Sequence, residues 1–347
     1  MKAKILFFTV LLITFLSKAQ NVITVDNTTG SNAQYADLQE AIEVANNNDI
    51  IYIHASETNY GDIIVNKTLT IIGFSHSDPD KSTLINDITL GENASNSKFS
   101  GLHITSEFIV DNLNTTLTGL VFENNVVDYR MFFDDAGVDD MIIRGNIIWS
   151  LGKANSSNQF NNFTNMIISN NIIDNKIHLK NYQSITIKNN IFFYHHNSGS
   201  NFPIHNYGHD NGSITVQDNI FYPSANGTVS NIYSPGVIFE NCLIFNIGAG
   251  NASALNGSNN LANIDPKFVS ADNNEFDPDI DDYHLQAGSP AIGAGVAGGD
   301  IGLYNSDPFV FNNFGITAGI PTVKITAITN TIEVGGTVEV TIESNSN

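Results

Sequence analysis

The chain has 347 residues, with 35 acidic against 14 basic side chains, a formal charge of −21 and a single cysteine. A charge of that sign repels phosphate and excludes nucleic acid as a natural partner, while it suits solubility outside the cell or the binding of divalent cations. Cys242 can form no intramolecular disulfide, so stability must come from burial, which about 320 residues can supply.

In chain order, Met1-Lys2-Ala3-Lys4 is a short basic start, and Ile5 to Leu16 is an almost unbroken apolar run too short to span a bilayer. Ser17-Lys18-Ala19-Gln20 has the small and polar residues of a signal peptidase site. Residues 1–20 are therefore expected to be a signal peptide, which makes the protein secreted or cell-surface, with a buried N-terminal helix as the alternative. No later stretch is long and apolar enough for a transmembrane segment.

From Tyr35 to Ala45 apolar residues recur at helical spacing (Leu38, Ala41, Ile42, Ala45). Asn46 to Asp49 then breaks the pattern, and Ile50-Ile51-Tyr52-Ile53 reads as a strand. This predicts one amphipathic helix that closes the end of a stacked structure.

The middle of the chain repeats itself. Gly119 to Val127, Met141 to Trp149, Met166 to Asp174, Ser184 to Phe193, Ser213 to Tyr222 and Val237 to Phe245 are copies of one unit. Aligned on the second turn residue, Asn125, Asn146, Asn171, Asn190, Asn219 and Cys242 share a column at intervals of 21, 25, 19, 29 and 23 residues. Those periods suit a solenoid coil. Alternation puts Phe122, Ile143, Ile168, Ile187, Val216 and Phe239 inward, and places Glu123, Arg144, Ser169, Lys188, Gln217 and Glu240 toward solvent. Val127, Ile148, Ile173, Phe192, Phe221 and Ile244 resume the core after the turn. Asn tolerates positive φ and can bond neighbouring backbone, so the repeated Asn should stack as a ladder, with Gly145 and Asn189 in the adjacent turn column. The expected fold is all-β, a right-handed parallel β-helix over residues 21–305.

Residues 306–347 change character. Pro321 to Ile328 and Ile332 to Ile342 read as two strands around a Gly-Gly turn, like the start of an immunoglobulin-like module. A complete sandwich needs about seven strands, so either the chain is truncated or these strands pack on the end of the helix.

Tyr35, Leu38-Gln39-Glu40-Ala41-Ile42, Asp49-Ile50-Ile51-Tyr52-Ile53, Tyr60 and Leu69-Thr70-Ile71-Ile72-Gly73 together resemble the opening of the pectate-lyase-like β-helix superfamily. Asp265-Pro266-Lys267-Phe268, Asp282-Tyr283-His284-Leu285, Gly288 to Gly295 and Asp300-Ile301-Gly302 are similar to a C-terminal pattern of secreted bacterial β-helices, the choice-of-anchor domain of type Q. The resemblance implies a fold. The superfamily includes lyases, hydrolases, epimerases and surface proteins, so it does not imply one reaction.

Four constellations could carry chemistry. The first is an insertion rich in His195, His196, His205, Tyr207, His209 and Asp210, which could bind a metal or move protons on a sugar, or simply be a polar loop. In the second, Asp128-Tyr129-Arg130 is followed by Asp134, Asp135, Asp139 and Asp140, with Lys153 one coil on. A uronate lyase needs a basic residue to abstract a proton and a cation to stabilise the resulting charge. Arg130 or Lys153 could serve as the base and the aspartates as Ca²⁺ ligands, against the alternative of solvated acidic turns.

The third constellation, Asp272, Glu275, Asp277, Asp279 and Asp282, is an oxygen-rich run of the kind that wraps Ca²⁺, although it lacks the EF-hand spacing. The fourth is the column three positions after the turn, with Asp128, Trp149, Asp174, Phe193, Tyr222 and Phe245. Its aromatics could stack on sugar rings from outside the coil, or face inward as core. Trp149, Phe193, Tyr222 and Tyr207 are the candidate sugar contacts, and Arg130, Lys153, His195 and His209 the candidate catalytic groups.

The paired-aspartate motifs of polygalacturonase-like hydrolases are missing: the chain has no Asn-Thr-Asp, Gly-His-Gly or Arg-Ile-Lys. Two readings follow. One is a secreted, monomeric β-helix that engages extracellular polysaccharide. The other is a polysaccharide lyase that cleaves a uronate-containing glycan by β-elimination; no cofactor is fixed by the sequence, and Ca²⁺ is the candidate.

Overall fold

The structure is a computed structural model, and it describes residues 20–78, 82–111, 113–134, 136–152, 162–179, 183–194, 203–206, 213–225, 228–229, 236–271, 275–304, 309–316, 321–328 and 335–346. Residues 1–19, Asp135, Lys153, His195, His196, Tyr207, His209, Asp210 and Asp272 lie outside the described residues.

The repeated units stack as a parallel β-helix. One face is an eleven-stranded parallel sheet that runs in sequence order from Val22–Val25 to Gly257–Ser258. A second face is a fourteen-stranded sheet that runs from Ile63–Val65 to Leu261–Ala262, and Thr116–Thr118, Gly137–Asp139 and Asn162–Thr164 form a short third sheet. The register matches the repeat alignment: Phe122 pairs with Ile143, Ile143 with Ile168, Ile168 with Ile187, Ile187 with Val216, and Val216 with Phe239. All of these side chains are buried. Phe99, Phe108 and Phe122 pack edge-on or tilted at 4.8–6.3 Å, and Phe192 stacks on Phe221 at 4.8 Å.

The N-terminal helix, Leu38–Val44, is capped by Asp37, whose carboxylate accepts from Glu40 N at 2.8 Å. It lays Leu38, Ala41 and Ile42 on the first coil. Lys67 closes its other end by donating to the carbonyls of Ile42, Glu43 and Ala45.

The turn divides between two columns the work that the sequence assigns to one. Positive φ falls on the first turn residue: Asn124 (55°), Gly145 (67°), Asn170 (54°), Asn189 (57°), Asp218 (58°) and Asn241 (51°). The buried ladder is built by the second. Asn125 N donates to Asn146 Oδ1, Asn146 N to Asn171 Oδ1, Asn171 N to Asn190 Oδ1 and Asn190 N to Asn219 Oδ1, each at 2.9 Å. Each amide nitrogen reaches back to a core-strand carbonyl, such as that of Phe122 for Asn146 and Ile143 for Asn171. A buried amide is tolerable here because its donors and acceptor are all used.

The solvent-facing column also needs correction, because Glu123 and Ser169 are buried. Glu123 sits between Lys98 Nζ at 2.5 Å and Arg144 Nη2 at 2.7 Å. Burial pushes its carboxyl up, but the two cations outweigh that and hold it below its ordinary value.

The chain beyond the last coil does not leave the helix. Phe268–Ser270 and Asp282–Leu285 form a small antiparallel sheet, and the following residues run back along the turns toward the N-terminal end. Asn241 Nδ2 donates to Ala294 O, Val296 N to Asp218 Oδ1, Asn189 Nδ2 to Gly302 O and Asn170 Nδ2 to Leu303 O. Phe309 lies under the Arg144 guanidinium at 4.8 Å, and His76 N donates to Phe314 O at 3.2 Å. Gly145 makes room for this segment, since a Cβ there would sit 2.4 Å from the Phe309 ring. The contacts thus continue past residue 305, and Pro321–Ile328 then pairs antiparallel with Val340–Ser346.

Candidate functional site

The returning segment decides the fate of the aromatic column. Phe193 is 1% exposed and Tyr222 is 6% exposed, both in a second core with Phe268, Tyr283 and Phe311. Phe193 packs on Tyr283 at 5.8 Å and Tyr222 on Phe268 at 5.3 Å. They hold the segment to the coils and cannot form a sugar platform, which corrects the expectation drawn from the column.

Trp149 is different. It is 37% exposed and stacks on Tyr129, itself 48% exposed, at 5.6 Å and 23°. Irregular register explains why it projects. Val127 pairs with Ile148 and Met131 with Leu151, so Asp128, Tyr129 and Arg130 face only Trp149 and Ser150. On the other side Ile148 pairs with Ile173 and Ser150 with Lys176, so Trp149 faces both Asp174 and Asn175. The coil that carries Trp149 is one residue short between longer neighbours, the kind of bulge that re-aims a side chain.

A cleft lies on each side of the indole. One, of about 250 Å³, has Asp128, Asp174, Glu275 and Phe276 around an apolar floor that includes Ile147 and Ile172. The other, of about 280 Å³, has Tyr129, Arg130, Lys176 and His178 on its walls. Gly152 lines the second cleft with φ of +85°, and a Cβ there would meet the His178 carbonyl at 2.3 Å.

The polar groups at this face are held in place. His103 Nε2 and Asp128 Oδ2 are 2.9 Å apart. Arg130 Nε donates to Glu107 Oε1, and the guanidinium lies 4.4 Å over Phe132 and 5.1 Å over Tyr129. Burial pushes the Lys176 ammonium below its ordinary pKa. Burial first, then His205 and Lys176, brings His178 down to about 4, and His205 is lowered by burial and by Lys176.

Of the residues expected from the sequence, the fold therefore brings Arg130 and Trp149 together on one face. Arg130 is engaged by a carboxylate and two rings, an arrangement suited to holding an anion more than to taking a proton. Asp134 is buried in a strand that ends next to the third sheet. Asp277 is folded into its own turn, accepting from Asp279 N at 3.0 Å while its N–H donates to Asp281 Oδ2. Among the described residues no group of three or more His, Cys, Asp or Glu is placed to hold a metal ion.

Lys176, His178 and Phe276 were missed by sequence reasoning. One signal for Lys176 was available, since it stands five residues after ladder residue Asn171, as Arg130 does after Asn125.

No family model matches the sequence, and no curated protein matches it. Among solved structures, the pectin methylesterase from Aspergillus niger in deglycosylated form is similar at 11% identity and a TM-score of 0.22, over 71% of this chain and 84% of that one. The same enzyme in penultimately deglycosylated form is similar at 12% identity and a TM-score of 0.19, over 68% and 87%. At these scores the function has to be read from the residues of the site. Among the described residues no helix is long and apolar enough to cross a membrane.

Proposed function

We propose that this chain is a secreted or surface β-helix that binds extracellular polysaccharide across the coils that carry Tyr129, Trp149 and Asn175. The observation that carries this reading is the stacked, exposed Tyr129–Trp149 pair, raised by a bulge between two clefts lined with charged groups. A sugar ring presents C–H bonds to an aromatic face and hydroxyls to charged side chains, and this face offers both. Retention of the purified chain in native gels cast with soluble polysaccharides tests it. Trp149→Ala should lower affinity about tenfold, the loss of one aromatic anchor, with no change in circular dichroism. Unchanged retention in that variant would overturn the assignment of the site.

The second reading, a lyase acting on a uronate glycan, is favoured by one observation: the lowered pKa of Lys176. A lysine whose ammonium burial destabilises gives up its proton more readily and can then take the one next to a carboxylate, with Arg130 neutralising that carboxylate. Release of an unsaturated, ultraviolet-absorbing product from alginate, pectate or chondroitin, with and without Ca²⁺, and its loss in Lys176→Gln, would establish it. A flat trace with stoichiometric protein leaves binding as the function.

A further inference from the structure

The two clefts beside Trp149 carry opposite charge, and the opposition is written twice. Asp128-Tyr129-Arg130 and Asp174-Asn175-Lys176 occupy the coils on either side of Trp149, each with an acid two residues before a base. Asp174 and Lys176 lie on the strand Ile172–Leu179, which rises about 3.3 Å per residue, so acid and base are offset by about 7 Å there. On the other coil Asp128 and Tyr129 form a bend that leads into the strand beginning at Arg130, with acid and base in the same chain order. The returning segment adds Glu275 and Phe276 on the acidic side, and His178 lies on the basic side. Trp149 stands in the wall between them and belongs to both clefts.

We propose that this face recognises a zwitterionic glycan, in which an amino sugar is joined to a uronic acid. Its ammonium group lies in the cleft of Asp128, Asp174 and Glu275 against the indole, and its carboxylate lies against Arg130 and Lys176. This rests on the polysaccharide reading above and specifies its ligand. A glycan carrying only carboxylates would bring them onto Asp128 and Asp174, on a chain of charge −21. One carrying only ammonium groups would meet Arg130 and Lys176. A repeat with both signs satisfies each cleft, and Trp149 offers a cation–π contact to the ammonium and a stacking face to the ring. The ion pairs of Asp128 and Arg130 leave each of these two able to meet a ligand. His103–Asp128 is a surface contact, and the Arg130–Glu107 pair engages Nε of a guanidinium that has five N–H donors.

Titration calorimetry of the intact chain with three probes tests this: hyaluronan, which is anionic only; N-deacetylated hyaluronan, which alternates amine and carboxylate; and chitosan, which is cationic only. The N-deacetylated polymer should bind about tenfold tighter than either of the others. Asp174→Asn should erase its advantage over hyaluronan, and Lys176→Gln its advantage over chitosan. Asp128→Asn provides a second variant on the other coil should either of these fail to fold. Equal affinity for hyaluronan and its N-deacetylated form overturns the proposal. If the three bind equally and Trp149→Ala abolishes all of them, the charge pairing alone is lost. If none binds, neutral dextran is not retained and Trp149→Ala changes nothing, the polysaccharide reading falls with it.

Discussion

Cys242 occupies the place that asparagine holds in five coils above it. Its backbone N–H still donates to Asn260 Oδ1 at 2.9 Å, so the ladder resumes below it. Above it, Asn219 Nδ2 keeps its bonds to Ile187 O and Gln217 O but finds the sulfur at 3.9 Å where the other coils offer an amide oxygen, and the thiol reaches toward Glu240 O at 3.5 Å and Val216 O at 3.8 Å. An amide at this position would offer an oxygen to Asn219 and a donor to Val216, as each asparagine does one coil earlier. Cys242→Asn should therefore raise stability by about 1 kcal/mol in urea unfolding. A loss of stability instead would show that the slot is narrower than the rest of the column. Burial pushes the Cys242 thiol up to about 12, ahead of smaller effects from Asn219 and Asp218. It should stay unlabelled by a thiol reagent in the native protein and react at once on unfolding, which makes it a reporter of the lower coils.

At the scale of the element, the first turn residue both opens the corner and holds the returning segment. The two jobs can be separated by glycine, which keeps the positive φ and deletes the amide. Asn170→Gly with Asn189→Gly should leave the coils intact while removing the bonds to Leu303 O and Gly302 O. Faster proteolysis within residues 286–316, with the solenoid resistant, is the expected outcome. Protection equal to wild type would mean that the apolar contacts of Phe268, Tyr283 and Phe311 suffice alone.

The same elements show what was legible in advance. The core columns and the Asn ladder could be read because each coil repeats a local pattern with period two and a fixed turn. Phe193 and Tyr222 could not be placed that way, because what covers them, Tyr283 and Phe268, lies well downstream in an irregular segment with no periodicity to betray where it packs. Trp149 looked like their equivalent and is not, because its coil is one residue short and its neighbours are not. Lys176 escaped for a related reason: the repeat alignment ended at Asp174, three residues past the ladder asparagine and two short of Lys176 in the same strand.

For the molecule as a whole, two buried imidazoles set the response to acid. Burial, with His103 nearby, pushes His76 from 6.5 to about 3, and burial with His205 and Lys176 pushes His178 to about 4. An unfolded chain takes up protons at both near pH 6.5, which the fold refuses until much lower pH. Stability from these groups is therefore complete above about pH 6.5 and is lost as pH falls toward 4, at up to about 1.4 kcal/mol per pH unit for each proton. Glu123, held below its ordinary value, adds a loss of the same sign at still lower pH, while Asp218, raised by burial, opposes it. Urea midpoints should fall from pH 7 to pH 4, and His76→Gln with His178→Gln should flatten that fall. A flat profile in the wild type would contradict the burial of the two rings.

A solenoid whose coils touch only their neighbours can gain or lose one without penalty elsewhere. Here the returning segment is anchored near Asn241 at one end and near His76 at the other, with contacts at Asp218, Asn189, Asn170 and Arg144 between. From the strand Thr70–Gly73 to the strand Phe239–Glu240 there are seven strand spacings, about 34 Å at about 4.8 Å each. A coil inserted or deleted in that interval would leave every later anchor out of step with its partner. The segment is thus a ruler laid along the stack, and it converts an open-ended repeat into an object of fixed length.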